Sequence, residues 1–369
     1  MWSANKKQDG NDREEKNLAC GPRPHNSEPM QRRVLIIRQD RIGDAVLATA
    51  IPRELKKRWP ACHVGVLVRG YTRPLFEHNP HVDEIIVDDM TPATRDATFW
   101  PMVRRLRRSR FTHALMLLPE ARYNYMTFCA GIPVRVGHGV ILFHALTLAR
   151  PVLTRKRRKG RHEAEYSMDL ARSIGVRTDD VTPEIHLTPE EDARAQARRA
   201  AEGTRRRVIG LHTTSGRSAP NWAPENWRRL ARRLRASDRV RVVVTDNVVP
   251  AELADLEGVE YPNVGADLRG AMVTLQSLDL LVSASTGPMH MAAALKVPTL
   301  SLFCPLPACE PALWGPVGNT ADFVLPEAEY CRDRCPGDPH VCRLVGSREA
   351  SPEAVASRIL GAGQLSDSS

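Results

Sequence analysis

The run RVLIIRQDRIGDAVLATAIPREL, Arg33 to Leu55, decides the fold. Its first six residues form an apolar, β-rich stretch between two arginines, the pattern of a strand buried on both faces. A tight turn containing Gly43 follows, and the spacing predicts an amphipathic helix from about Gly43 to Arg58. Strand, turn and helix in this order open a parallel βαβ unit. Such a unit brings its turn to the carboxyl end of a sheet, where open α/β folds bind ligands.

Working outward, the unit recurs. HVGVLVRG, DEIIVDD, THALMLL and, near Val134, IPVRVGH read as further short strands. A second series starts with RRVIGLH at Arg206. It continues through a helix from about Pro224 to Arg235, RVRVVVTDN, LDLLVSAS, a helix near Gly287 to Leu295, and VPTLSLFCP. Between the two series lies HLTPEEDARAQARRAAEGTRRR, a polar, Pro-initiated and helix-prone segment that marks a linker region. The expectation is an α/β chain with a disordered tail over residues 1–30 and Rossmann-like, doubly wound domains over 31–190 and 191–369. Their strand ends would share a cleft.

Composition narrows the function without choosing it. The 369 residues are 42% hydrophobic and 26% charged, enough for two cores. Lys and Arg number 53 against 43 Asp and Glu, a net charge of +10 that suits an anionic partner. Nucleic acid is disfavoured because no recognition fold or aromatic stacking platform accompanies the charge. The first thirty residues contain no apolar run of the signal-sequence kind, and nothing approaches the roughly eighteen apolar residues of a membrane span. A cytoplasmic protein, soluble or peripheral on a membrane, is expected. Cys62, Cys129 and Cys304 sit in apolar segments, as free thiols do in a reducing compartment. CRDRCPGDPHVC, with Cys331, Cys335, His340 and Cys342, imitates a zinc knuckle but lacks its close cysteine pairs, so no metal site is assigned.

Three loops carry candidate chemistry. Asp44 follows the first strand at the start of a helix, so it is either an N-cap or a carboxylate facing the cleft as a general base, with Asp40 as the rival base. In SASTGPMHMAAAL, Thr286 and Gly287 begin a helix whose free N–H groups and dipole favour a phosphate, while His290 one turn later reads by default as a core histidine. After the strand at Arg206, the polar loop His212 to Arg217 could bring the amides of Ser215 and Gly216 and the charge of Arg217 to an anion. The basic runs RRLRRSR at Arg104 and RKRRKGRH at Arg155 are either solvated faces or contacts for phosphates and an anionic surface. A nicotinamide dehydrogenase is disfavoured, because QDRIGD replaces a Gly-rich fingerprint after the first strand.

Taken together, these stretches resemble glycosyltransferase family 9, the ADP-heptose:lipopolysaccharide heptosyltransferases of Gram-negative bacteria. The resemblance spans about Arg32 to Leu360. It rests on RxDxIGDxxLxT from Arg38 to Thr49 and TGPxHxAAALxxPxxxLF from Thr286 to Phe303. Weaker support comes from RVG at Arg135, HEAEYSMDLARSIGV at His162 and WxPExWxxLAxxL at Trp222. It implies a GT-B architecture and inverting transfer without metal or cofactor. The nucleotide sugar, ADP-heptose, would bind in the C-terminal domain, and an anionic glycolipid acceptor in the N-terminal one, at the inner face of the inner membrane.

On this resemblance Asp44 is the general base in preference to Asp40. Donor contacts fall to His212, Thr214, Ser215, Gly216, Arg217, Asn221, Ser285, Thr286, Gly287, Pro288 and His290. Acceptor contacts fall to Arg38, Arg41, Gly43 and Arg122, with Arg155, Arg157 and Arg158 of the basic run. Two positions depart from the family pattern: Ser285 stands where DTG has its aspartate, and Asn221 where a lysine commonly precedes the Trp. A transferase for another nucleotide sugar and a catalytically silent binding protein therefore stay open as alternatives.

Overall fold

A computed structural model describes residues 31–91, 93–153, 160–200, 206–216 and 219–361. The first sheet contains β1 (Arg33–Arg38), β2 (His63–Val68), β3 (Glu84–Val87), β4 (His113–Met116), β5 (Val134–His138) and β6 (Arg150–Val152). The second contains β7 (Arg207–His212), β8 (Val240–Val244), β9 (Val259–Glu260), β10 (Leu280–Ala284), β11 (Thr299–Leu302) and β12 (Ala321–Val324). Their orders are β3-β2-β1-β4-β5-β6 and β12-β11-β10-β7-β8-β9, and the paired strands run parallel throughout. Each order reverses once, between β1 and β4 and between β7 and β10, so each sheet has one switch point. The expected α/β, GT-B class is what the chain adopts.

The strand cores follow from their sequences. Val34, Leu35, Ile36 and Ile37 are all buried, because helices cover both faces of β1. Leu35, Ile37, Leu67, Phe111 and Ala114 pack on one face, while Val34, Ile36, Val64 and Val66 pack on the other. The latter cluster does not stop at the first sheet. It continues through Leu47 and Ile51 to Met272, Leu275, Met291 and Ala292 of the second half, so the halves share an apolar seam. Its burial supplies a non-directional attraction that polar contacts then orient.

The helix expected from Gly43 to Arg58 is two helices, Ile42–Ala48 and Ala50–Arg58. Pro52 explains the break: it has no N–H for the Ala48 carbonyl, and its ring crowds that carbonyl. Thr49 accommodates the join by tightening one turn, with its N–H and its hydroxyl both donating to Val46 O, at 3.0 and 2.7 Å. The helices Pro224–Arg235 and Gly287–Ala294 start where the sequence places them. Pro189–Ala200 is helical as expected, yet its Glu191 is buried.

Arg269 explains that burial. From the helix Leu268–Gln276 it donates Nε to Glu191 at 2.9 Å, with a second, shorter contact through Nη2. It also donates to the carbonyls of Pro74 at 3.1 Å and His186 at 3.0 Å. One guanidinium thus ties the second half to two segments of the preceding chain. Arg269→Ala leaves a buried, unpaired Glu191, and the expected loss is about 3–5 kcal/mol in urea denaturation. Arg269→Met together with Glu191→Met should recover most of it; a double variant as unstable as Arg269→Ala would show that the carbonyl contacts, not the charge pair, dominate.

Candidate active site

Arg38, the last residue of β1, organises the first loop. Its guanidinium is buried and lies 2.7 Å through Nε from Asp40 and 2.5 Å through Nη2 from Asp44. The first contact is an ion pair too poorly aligned to be a hydrogen bond; the second is a hydrogen bond. The loop backbone is held as well, because Tyr71 Oη donates to Asp40 O and Arg69 Nε to Gln39 O, both at 2.6 Å.

Asp44 is not an N-cap. The cap position is Arg41, without a side-chain cap bond, and Asp44 stands third in the helix, where its carboxylate meets Arg38. Sharing one cation leaves Asp40 undercompensated. Burial pushes its carboxyl up to about 6, the charge of Asp44 adds to the rise, and Arg38 offsets only part of it.

Facing this loop is the N-terminus of the helix Gly287–Ala294. Gly43 and Gly287 are the contact points: a Cβ on Gly43 would lie 2.9 Å from the ring of His290, and one on Gly287 would lie 2.9 Å from Ile42. Gly287 is therefore required by the approach of one half to the other. The space between the two helix starts is a cleft of about 600 Å³, lined by Arg41, Gly43, Asp44, Ser285, Thr286, Gly287 and His290, with Cys309 and Trp314 at one side. Thr286 is the N-cap and makes no side-chain cap bond; its hydroxyl donates to Ala284 O instead. Pro288 has no N–H, so the amides of Gly287 and Met289 are the first-turn donors left for an anion. His290 is buried, its Nδ1 has no partner among the described residues, and burial together with nearby His162 pushes it down to about 3. It is a neutral imidazole at any working pH.

A second cavity, of about 920 Å³, adjoins Pro288 and Met291 and is lined by His212, Thr214, Thr245, Asn247, Asn263, Asp267 and Leu275, with Ile42 and Tyr71 from the first half. Its floor depends on Asp246, a fully buried carboxylate. Asp246 accepts from the N–H and hydroxyl of Thr213, at 2.8 and 2.9 Å, and from those of Thr214, at 3.0 and 2.6 Å. That fixes the loop after β7. His212 stacks this arrangement against β8, with Nδ1 3.1 Å from Thr245 Oγ1 and Nε2 3.6 Å from Asp246. Burial pushes its imidazole down although Asp246 draws it up. Asn263 donates to Thr245 O at 2.7 Å, which leaves its buried Oδ1 with no donor among the described residues.

The family model for glycosyltransferase family 9 (heptosyltransferase) matches residues 99–335. The chain belongs to this family. A Haemophilus influenzae protein provisionally assigned to the glycosyltransferases is 25% identical over 318 residues, covering 79% of this chain and 88% of its own. Among solved structures, a family 9 glycosyltransferase of Veillonella parvula superposes with a TM-score of 0.73 at 20% identity, covering 89% of this chain and 97% of its own. The Escherichia coli ADP-heptose lipopolysaccharide heptosyltransferase II gives 0.69 at 20% identity, covering 91% and 100%.

Within this family 9 glycosyltransferase, the structure brings together Arg41, Gly43, Asp44, Ser285, Thr286, Gly287 and His290 around one cleft, with His212, Thr214 and Pro288 beside the second cavity. Ser215 and Gly216 continue the Asp246-anchored loop, and Ser215 Oγ donates to Ala219 O at 3.3 Å. Three expected contacts are engaged elsewhere. Arg38 is buried behind the cleft, against Asp40 and Asp44. Arg122 is buried against Asp88 at 3.4 Å and donates to Thr98 Oγ1 at 2.8 Å and to Arg95 O. Asn221 is buried, donating to Thr213 O at 2.7 Å and accepting from Trp227 Nε1 at 3.2 Å, so it braces the loop rather than facing the cavity. Arg217, Arg155, Arg157 and Arg158 lie outside the described residues, as does the segment 1–30. Among the described residues no cluster of His, Cys, Asp and Glu is placed to hold a metal. Cys342 packs instead under Tyr330, whose Oη is 3.4 Å from its sulfur. Asp246, Asn263 and Tyr71 were not singled out from sequence; VTDN at the end of β8 was the visible signal for the first.

Asp40 provides a pH test. Its folded carboxyl titrates near 6, against 3.8 ordinarily, so between those values the folded state holds a proton that the unfolded chain releases. Stability contributed by protonated Asp40 is therefore lost as pH rises through this window. Asp40→Asn keeps a neutral side chain throughout. Its stability relative to the parent should rise by about 2–3 kcal/mol between about pH 4 and pH 7, at about 1.4 kcal/mol per unit of displaced titration. Urea titrations showing a pH-independent difference would exclude a raised Asp40.

Proposed function

We propose that this glycosyltransferase transfers heptose from ADP-heptose, with inversion, to an inner-core hydroxyl of lipopolysaccharide. The observation that carries the proposal is the placement of Asp44 and the N-terminus of the helix Gly287–Ala294 on one cleft. A sugar diphosphate with its diphosphate on the amides of Gly287 and Met289 meets two positive helix ends at once. The acceptor hydroxyl gives its proton to the Asp44 carboxylate as its oxygen bonds to the anomeric carbon. The bond from that carbon to the diphosphate breaks on the opposite side, and ADP leaves with the electron pair. Arg38 orients Asp44, and Arg41 lies on the cleft for acceptor or diphosphate charge. His290, pushed down to about 3 by burial, is too weak a base to compete for the proton. The Escherichia coli enzyme of the same fold is described by an ADP-heptose donor and a lipopolysaccharide acceptor, which supports the reading.

The nucleoside belongs in the second cavity. There the amide side chains of Asn247 and Asn263 lie along the lining, where donors and acceptors can meet a base edge. Ser285, in place of the family's aspartate, favours one alternative, a different activated sugar on the same nucleotide. Purified protein incubated with ADP-heptose and other nucleotide sugars, with calorimetry of ADP and UDP alongside, separates these.

Asp44→Asn should cut turnover about 10²- to 10⁴-fold while ADP binds with parental affinity. Turnover within threefold of the parent would remove Asp44 from the chemistry. Failure of the parent itself to release ADP from any donor, with ADP still bound, would instead favour a silent binding protein.

A further inference from the structure

The segments after β4 and β5 carry an apolar surface whose residues line neither cavity. On the helix Ala121–Cys129 the exposed positions are Tyr125 and Phe128, both aromatic, where a solvent face ordinarily carries charge. The next segment, between β5 and β6, is more extreme. Every exposed residue from Val140 to Leu148 is apolar: Val140, Leu142, Ala145, Leu146 and Leu148. Leu142 is 75% exposed, Leu146 62% and Leu148 82%. Leu148 is also held in the left-handed region, at φ 54°, just after the short helix Leu142–Leu146. Glycine or asparagine relaxes such a position, and leucine there costs about 1 kcal/mol or more. A strained leucine presented to water contributes nothing to the folded chain.

These segments are one surface. Arg135 packs its guanidinium 5.3 Å from the ring of Phe128 and donates to the carbonyls of Thr147 and Ile132. Asn124 accepts from the hydroxyl of Thr147. On the other flank, Arg107 of the helix Arg95–Ser109 donates to Cys129 O at 2.6 Å, and that helix exposes Trp100, Arg104 and Arg108 along one side. Arg150 closes the opposite edge. Among the described residues, none of Arg104, Arg108 and Arg150 has an acidic ion-pair partner. An apolar centre rimmed by unpaired arginines and by Trp and Tyr has the composition of an interface with an anionic bilayer.

We propose that Tyr125, Phe128, Leu142, Leu146 and Leu148 insert into the surface of an anionic phospholipid membrane, with Arg104, Arg108 and Arg150 on the headgroups. The occupant is a membrane, because exposed leucines and aromatics stand inside a rim of arginines without acidic partners among the described residues, which complements an anionic headgroup layer. The surface deepens the acceptor half of the proposed function and rests on it only for why a lipid should be met. Vesicle binding needs neither donor nor turnover.

The test is sedimentation of the full chain with vesicles of phosphatidylglycerol in phosphatidylcholine and of phosphatidylcholine alone. Leu142→Ser, Leu146→Ser and Leu148→Ser combined should weaken partition to the anionic vesicles about a hundredfold, at low and high salt alike. Arg104→Gln, Arg108→Gln and Arg150→Gln combined should weaken it only at low salt. Both variants change exposed residues and should keep parental circular dichroism and ADP affinity; should the leucine variant misfold, Phe128→Ser alone, expected to lose about tenfold, replaces it. Parental partition in the leucine variant, or no binding by the parent, overturns the proposal. So does a parent that sediments as a dimer without vesicles and becomes monomeric in the leucine variant, which would make the patch a contact between copies. A parent that binds anionic vesicles but not ADP would count against the donor reading and leave the membrane surface standing.

Discussion

Two helix N-termini, one from each sheet, touch through glycine, and the cleft that holds Asp44 and Thr286 lies between them. Gly43 has room for no Cβ beside His290, and Gly287 none beside Ile42. Backbone contact at this point brings the positive ends of the helices Ile42–Ala48 and Gly287–Ala294 to the same cavity. Like ends repel, and the repulsion is offset by negative charge between them. Asp44, in the first turn of one helix, is part of that offset, and a bound diphosphate would supply the rest. The same geometry concentrates positive potential at the cleft, the sign that suits an anionic ligand.

Arg38 sets the acid-base character of this arrangement. A buried guanidinium with a single carboxylate would hold it firmly ionised and weakly basic. With Asp40 at 2.7 Å and Asp44 at 2.5 Å the cation is divided. Asp40, raised to about 6, carries its negative charge above that pH and relinquishes it below. The field at Asp44 therefore changes across the same interval, without Asp40 touching a substrate. Tyr71 connects this loop to the second cavity, since its hydroxyl donates to Asp40 O while the residue lines that cavity.

Legibility in the sequence followed the range of the forces involved. Strands buried on both faces, such as RVLIIR, announce themselves because burial leaves no room for polar residues, and Pro224 and Gly287 mark helix starts through backbone chemistry alone. Pro52 was also visible, but reading its effect required placing it against the carbonyl four residues earlier. The side chains were harder. Asp44 has a cap-forming residue type and a cap-like position, and only three-dimensional structure shows Arg38 claiming it. Arg122 and Asn221 lie near functional motifs, yet Asp88, far back in the chain, absorbs the first and the backbone of Thr213, across the loop after β7, absorbs the second. Asp246 was overlooked for the converse reason: its partners Thr213 and Thr214 lie on a different strand-end loop.

The same lesson applies to the net charge of +10, which sequence reads as a basic surface. Several of these cations are turned inward. Arg38, Arg122 and Arg135 are buried, and Arg53 and Arg269 are largely enclosed; all five are occupied by carboxylates or backbone carbonyls. Guanidinium suits such work because its planar fork can satisfy several carbonyls at once while remaining charged. What attracts an anion from solution is accordingly a smaller and more local set, in which Arg41 faces the cleft and Arg104, Arg108 and Arg150 rim the apolar surface. Charge at those two places separates two tasks. At the cleft it meets the reacting groups at short range in a partly dry site, where salt screens little; at the rim it acts through water, where screening falls within about 10 Å at moderate salt.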